Sequence, residues 1–442
     1  MLQFNQCSEE INSNGGLSIV SRRLDENLAL GYWNDLQPAS ANSRYEIVQI
    51  IRSMVGLMAL GYSDYAAIAK VADDRLFRMV AGGNVPSEAT FRQRMDAIAA
   101  GEKWQSVLDA CVVEDLRKIK LTSLTVDGHE MIPLDIDVSV LVDTASHKEG
   151  IGITYHKVKG YAPIFCYAGR DGYMVANELR EGTQHSEKGA VLFLKRCVGI
   201  MLAAGYHAEK LLVRVDSGHD AGDFIAALTE LGVHYIVKRN LRKESPEQIL
   251  DTIRSSADQL KNRPGKITYT GFRSDKIPVG MTQYHGFIAV RAVERTITAD
   301  GQRQLIPLVK TDCWWTNLIG SVEQCVALYE DHGTSEQFHS ELKSDMGIEL
   351  LPSGKMKTNA LVLGLTTLAF NCLRFIGQAA LQLASAKTKK STVTPMRYRL
   401  RTVLLDFIKV GCKLVSHAHR MFIKFGRHCI VFRQLKEIYA NC

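Results

Sequence analysis

The chain has 442 residues, 46% apolar and 23% charged, which excludes a disordered, collagen-like or disulfide-stapled protein and predicts two or three domains. The formal charge is only +7, but residues 385–442 hold 13 of the 54 Lys and Arg and two of the 47 acids, Asp406 and Glu437, a segment at +11 against a body at −4. Such asymmetry predicts a polyanionic partner, nucleic acid or an anionic membrane surface.

Residues 1–120 read as helical. Ile47, Ile50, Ile51, Met54, Val55, Met58 and Leu60 recur at helical spacing, and Gly61 follows as a stop. A short helix is expected over Tyr65–Ala72, and another opens after Ser87, whose hydroxyl suits an N-cap. Short helices joined by glycine turns match a helix-turn-helix DNA-binding module, with Arg92 and Arg94 on the helix that would enter a groove.

From Leu121 the period changes to that of strands. Leu124–Asp127, Ile132–Asp143, Pro163–Ala168 and Tyr173–Arg180 are rich in β-branched residues or alternate, with a hairpin turn over Gly169–Gly172. A helix over Ser186–Ala204, a strand over Lys210–Asp216, a helix over Ala221–Leu231 and a strand over Tyr235–Lys238 complete the order of an RNase H-like mixed α/β sheet. Strand-like runs within residues 239–315 predict a β-rich insertion, after which helices return from Ser321 to Ala384. The expected domains are therefore 1–120, 121–384 and 385–442, the third joined by a polar linker (Lys387–Pro395) and read as a basic helical region. Ten cysteines stand singly with no C-x-x-C pair, no signal peptide is visible at the N-terminus, and Asn371, Arg374, Gln378 and Gln382 interrupt the most apolar stretch. A soluble cytoplasmic protein without a membrane partner is expected.

Acidic residues stand out by position. Asp135 and Asp137 alternate with apolar residues, so period 2 puts both on one face of a strand, and a carboxylate there must be paired, protonated or cation-bound. Asp216 ends an apolar strand just before Ser217–Gly218, a usual place for a site in an open sheet. Tyr329, His332, Glu336 and Lys343 follow with gaps of two, three and six residues; on one continuous helix, His332, Glu336 and Lys343 share a side.

Together, the Asp137 strand, the Asp216 strand end and the Tyr329/His332/Glu336/Lys343 spacing resemble the DDE transposases of bacterial insertion sequences, in the branch with the Y-(2)-R-(3)-E-(6)-K signature. The resemblance runs from about residue 124 to 376 and includes Lys148-Glu-Gly, Lys159-Gly-Tyr-Ala-Pro, His339-Ser-Glu-Leu-Lys and Leu368-Ala-Phe-Asn371. It implies an RNase H-like fold with a β insertion before the glutamate. It also implies metal-dependent DNA cleavage at terminal inverted repeats and strand transfer into target DNA, probing paired ends as a homodimer on double-stranded DNA. Two Mg²⁺ or Mn²⁺ ions would be held by Asp137, Asp216 and Glu336, with Asp135 the rival for the first position, while Tyr329, His332 and Lys343 contact DNA. The signature's arginine is His332 here, and an imidazole has no bidentate fork for phosphate. A transposase-derived repressor and a nuclease without strand transfer are the alternative classes.

Overall fold

The computed structural model describes residues 2–5, 8–36, 44–145, 147–279, 282–298, 300–385, 395–418 and 420–442. The expected linker thus lies almost wholly outside the described residues. Strand β1 (Ile11–Asn12) precedes the main N-terminal helices α1 (Leu17–Asp25), α2 (Ile47–Met58), α3 (Arg75–Ala81), α4 (Glu88–Ala100) and α5 (Trp104–Arg117). The periodic residues of α2 are all buried, as one apolar stripe requires, and Gly61 turns the chain with a φ of 82°. The Ser87 hydroxyl accepts from the Thr90 N–H and starts α4, which turns Phe91, Met95 and Ile98 inward.

The sheet follows. Strands β2 (Leu124–Val126), β3 (His129–Val138), β4 (Ile164–Ala168) and β5 (Tyr173–Glu178) lead through α6 (Ala190–Ala203) to β6 (Leu211–Val215), and through α7 (Gly222–Glu230) to β7 (His234–Lys238). β3 pairs antiparallel with β4 and parallel with β6, β4 is antiparallel to β5, and β6 is parallel to β7. The order β5-β4-β3-β6-β7 is the RNase H-like arrangement, with β3 central. The β4–β5 turn needs its glycines: Gly169 and Gly172 have φ of 75° and 72°, and a Cβ on Gly172 would fall 2.2 Å from the Phe338 ring.

The expected insertion is β-rich and longer than its sequence runs indicate. Helix α8 (Pro246–Ile253) leads into β8 (Asp258–Arg263), β9 (Lys266–Val279), β10 (Thr282–Ile297) and β11 (Arg303–Thr316). The last residues of β11 pair antiparallel with β7, so the insertion extends the central sheet.

Helices α9 (Val322–Asp331), α10 (Thr334–Ser340) and α11 (Met356–Ser385) return the chain to the core. α11 is long and apolar enough to cross a membrane, yet it packs against β5, α2, α4 and α5. One of its polar residues is satisfied by the sheet: the Asn371 amide accepts from Met174 N at 2.8 Å and donates to Met174 O at 2.9 Å, standing in for a neighbouring strand at the β5 edge.

The expectation of a helical C-terminal region is corrected. Strands β12 (Cys412–His417) and β13 (Arg420–Phe425) form a hairpin whose inner strand pairs with β1, set between a helical segment over residues 400–408 and α12 (Phe432–Ala440). Buried Cys412 and Leu414 alternate with more exposed neighbours, a period of 2 that the dense basic residues obscure in the sequence. Leu400, Val403, Phe407, Ile408, Leu435 and Ile438 are buried in the same continuous core as the N-terminal helices, so this region is integral to the fold.

Candidate active site

Two aspartates stand side by side where parallel strands end. Asp135 lies opposite Arg214 and Ile136 opposite Val215, the last pair of the ladder, so Asp137 and Asp216 each follow one residue beyond it on neighbouring chain segments. Both open into one cleft of about 730 Å³, whose far wall carries Tyr329, His332, Glu336, His339 and Lys343. The residues named from the sequence as catalytic or DNA-binding therefore meet in one place, apart from Arg92 and Arg94.

Each aspartate is held by few contacts. Asp137 Oδ1 accepts from Val138 N at 2.8 Å, and Oδ2 lies 3.3 Å from His339 Nε2. His339 is itself positioned by the Tyr167 hydroxyl, 3.3 Å from its Nδ1. Asp216 Oδ1 takes both the Gly218 N–H and His219 Nδ1 at 3.0 Å, while Oδ2 has no hydrogen-bond partner among the described residues. Burial alone would raise the Asp216 carboxyl, but the His219 contact and the Gly218 N–H outweigh it and hold the group below its usual range.

Asp135, on the same face two residues earlier, is sealed. Arg214 grips it bidentately at 2.7 and 2.8 Å, and His332 Nδ1 lies 2.9 Å from its Oδ1. The same guanidinium donates to Leu328 O and to Asp331, tying the strand to the end of α9. Burial raises the Asp135 carboxyl, and the charges of Arg214 and His332 more than reverse that. Arg214 is the residue that sequence reasoning missed. Its signal was present, since a guanidinium inside the apolar strand Leu211–Val215 needs a buried anion.

The far wall differs from a single helix. α9 ends at Asp331, α10 is a separate segment, and residues Glu341–Asp345 form a π-helical turn. The expected i, i+4, i+11 geometry is therefore replaced by two helix pieces and a π turn that together present His332, Glu336 and Lys343 to the cleft. The Glu336 carboxylate is exposed and has no hydrogen-bond or ion-pair partner among the described residues. Glu341, five residues further on, is buried and takes Arg374 and Arg397 at 2.8 Å and Leu400 N at 3.2 Å. Lys343 is half-buried, and burial pulls its ammonium below the usual lysine range. Tyr329 packs beside Trp314 at 5.8 Å and His332 at 5.7 Å, and burial pushes its phenol up.

The remaining sequence candidates lie elsewhere. Arg92 is paired with Glu88 at 2.8 Å and sits over the Tyr65 ring, and half-buried Arg94 reaches the Tyr45 carbonyl. Trp314 and Trp315, near the end of β11, are buried, with Trp315 Nε1 donating to Asp220 at 2.9 Å. Among the described residues no three His, Cys, Asp or Glu side chains converge as a closed metal cage. The donor set still suits a hard divalent cation: adjacent carboxylates repel, and Asp216 Oδ2 and both Glu336 oxygens keep open lone pairs.

A family model described as "Transposase DDE domain group 1" matches residues 2–442. No curated protein matches the chain. Among solved structures, the cryo-EM structure of a piggyBac transposase synaptic complex with hairpin DNA is similar at 10% identity and a TM-score of 0.42, over 90% of this chain and 79% of that one.

Proposed function

Because the chain belongs to the DDE transposase family, enzymes that act on DNA with divalent metal ions, we propose that its cleft cuts DNA at the terminal inverted repeats of an insertion element and joins the freed 3′-hydroxyls to target DNA. The observation that supports this reading is that Asp137 and Asp216, each one residue beyond the last pair of the β3–β6 ladder, line one cleft together with the unpaired Glu336. Asp137, Asp216 and Glu336 would hold two Mg²⁺ or Mn²⁺ ions. When bound, such ions activate an attacking oxygen and stabilise the leaving one in an in-line displacement at phosphorus.

The protein's own part is to position and neutralise. His339, on the cleft wall, and His219, outside it, orient the two aspartates. Lys343 presents a cation to a phosphate oxygen, and its partial burial strengthens that contact relative to a solvated lysine. Tyr329 offers an aromatic edge beside the cleaved strand. His332 is already committed through Nδ1 to Asp135, so it supplies at most one ring nitrogen to DNA where an arginine would supply a fork. The protein would work as a dimer on paired ends.

The test uses purified full-length protein, labelled repeat-end duplex and Mg²⁺ or Mn²⁺. Glu336→Gln should retain binding and lose cleavage and strand transfer by several kcal/mol, roughly 10²–10³-fold. Cleavage by Glu336→Gln at the wild-type rate overturns the acidic-triad reading.

A further inference from the structure

The hairpin β12–β13 lies outside the cleft and carries an arrangement that the fold itself does not explain. Opposite residues of an antiparallel pair point to the same face, and on the outer face Lys413 stands opposite Lys424, Val415 opposite Phe422 and His417 opposite Arg420. Directly opposed like charges destabilise a strand pair, and an exposed phenylalanine between them gains nothing from the core. Phe422 is 45% exposed. Glu9 takes Lys413, whereas Lys424 and Arg420 have no acidic partner among the described residues. Between Asp406 and Glu437 the chain has no acid at all and seven Lys or Arg.

We propose that the outer face of β12–β13 is a second contact surface for duplex DNA, with Arg420 and Lys424 on backbone phosphates and Phe422 against the deoxyribose between them. Charge complementarity chooses the occupant: a face with two cations free of acidic partners, Arg420 and Lys424, an apolar centre and a single acid already committed to Lys413 matches a polyanion whose phosphates flank apolar sugar edges. The proposal rests on the reading of the chain as a DNA-transposing enzyme only for the identity of the polyanion. It places DNA on a surface formed by residues near both ends of the chain, since β12 is also paired with β1.

The experiment measures binding of full-length protein to a fluorescein-labelled duplex of arbitrary sequence by anisotropy across a salt series. Each lost phosphate contact removes about 0.9 from the slope of log K against log salt. Arg420→Ala/Lys424→Ala should flatten that slope by about 2 and weaken binding about tenfold or more at physiological salt. Arg420→Lys/Lys424→Arg should restore the slope, and Phe422→Ala should weaken binding without changing it. Melting temperatures of all variants check folding. An unchanged slope in the alanine pair overturns the proposal and leaves the charges as guards of the β13 edge. A change in dimerisation by light scattering with the slope unchanged would assign the face to a second copy and also overturn it. The two readings separate cleanly. Asp137→Asn should keep the slope and lose cleavage, whereas the hairpin pair should lose slope and keep cleavage at saturating DNA.

Discussion

Asp135 and Asp137 share one face of one strand, and Glu336 and Glu341 lie five residues apart, yet each pair contains one sealed and one open carboxylate. Asp135 and Glu341 are buried and each faces an arginine bonded at 2.8 Å or less, with a second basic group on the other side. Asp137 and Glu336 face the cleft with weaker partners or none. The sealed pair buttresses the walls and the open pair is left for chemistry. A carboxylate already neutralised by a buried guanidinium has little affinity left for a cation or for developing charge.

Removing a partner from the sealed set should have the largest effect. Arg214→Met would strand Asp135 in the core, and breaking such a buried pair costs about 3–5 kcal/mol. Urea unfolding should show that loss for Arg214→Met and a comparable one for Arg374→Met, and a loss below about 1 kcal/mol would remove the distinction between the sets. Next in size, Asp137→Asn, Asp216→Asn and Glu336→Gln should each lose cleavage roughly 10²–10³-fold while melting within a few degrees of wild type. A Glu341→Gln protein should behave the other way, melting early yet cleaving when folded.

The pH response sharpens the same contrast. Asp135 is held below its ordinary value, so its stabilisation is complete above about pH 4, the unfolded carboxylate value, and fades as pH falls further through its folded value. The stability gap between wild type and Asp135→Asn should therefore narrow below about pH 4 in urea melts; a gap that stays constant in acid refutes the pairing. The smallest effect concerns Lys343. Burial lowers its value, so the cationic form is present below that lowered value and is lost earlier than a solvated lysine as pH rises. Lys343→Arg should extend cleavage toward alkaline pH, and identical alkaline limbs would show that the amine is not engaged.

The sequence carried the sheet order because strand and helix periods are local, and each segment from Leu124 to Lys238 announces its own type. It carried the two-carboxylate ambiguity as well, since period 2 assigns Asp135 and Asp137 to one face without choosing between them. The choice lies in register, which sets Arg214 opposite Asp135 across 79 residues of chain. The break after Asp331 and the π turn over Glu341–Asp345 were not legible, because spacing along one ideal helix matches the same residues. The C-terminal hairpin was missed for a different reason: its alternation spans few residues, and its pairing partner is Ile11.

That pairing has a temporal consequence. Ile11 meets Lys413, so β1 has no neighbour until about 400 more residues have left the ribosome. At the usual elongation rates this takes roughly 20–80 s. Throughout that interval the N-terminal helices lack one edge of their support, and the start of α1 lacks the Ile408 and Val410 carbonyls that accept from Gly16 N at 3.1 Å and Gly15 N at 2.9 Å. A truncated product ending before residue 412 would leave β1 without its partner strand, and limited proteolysis should cut it faster than the full chain.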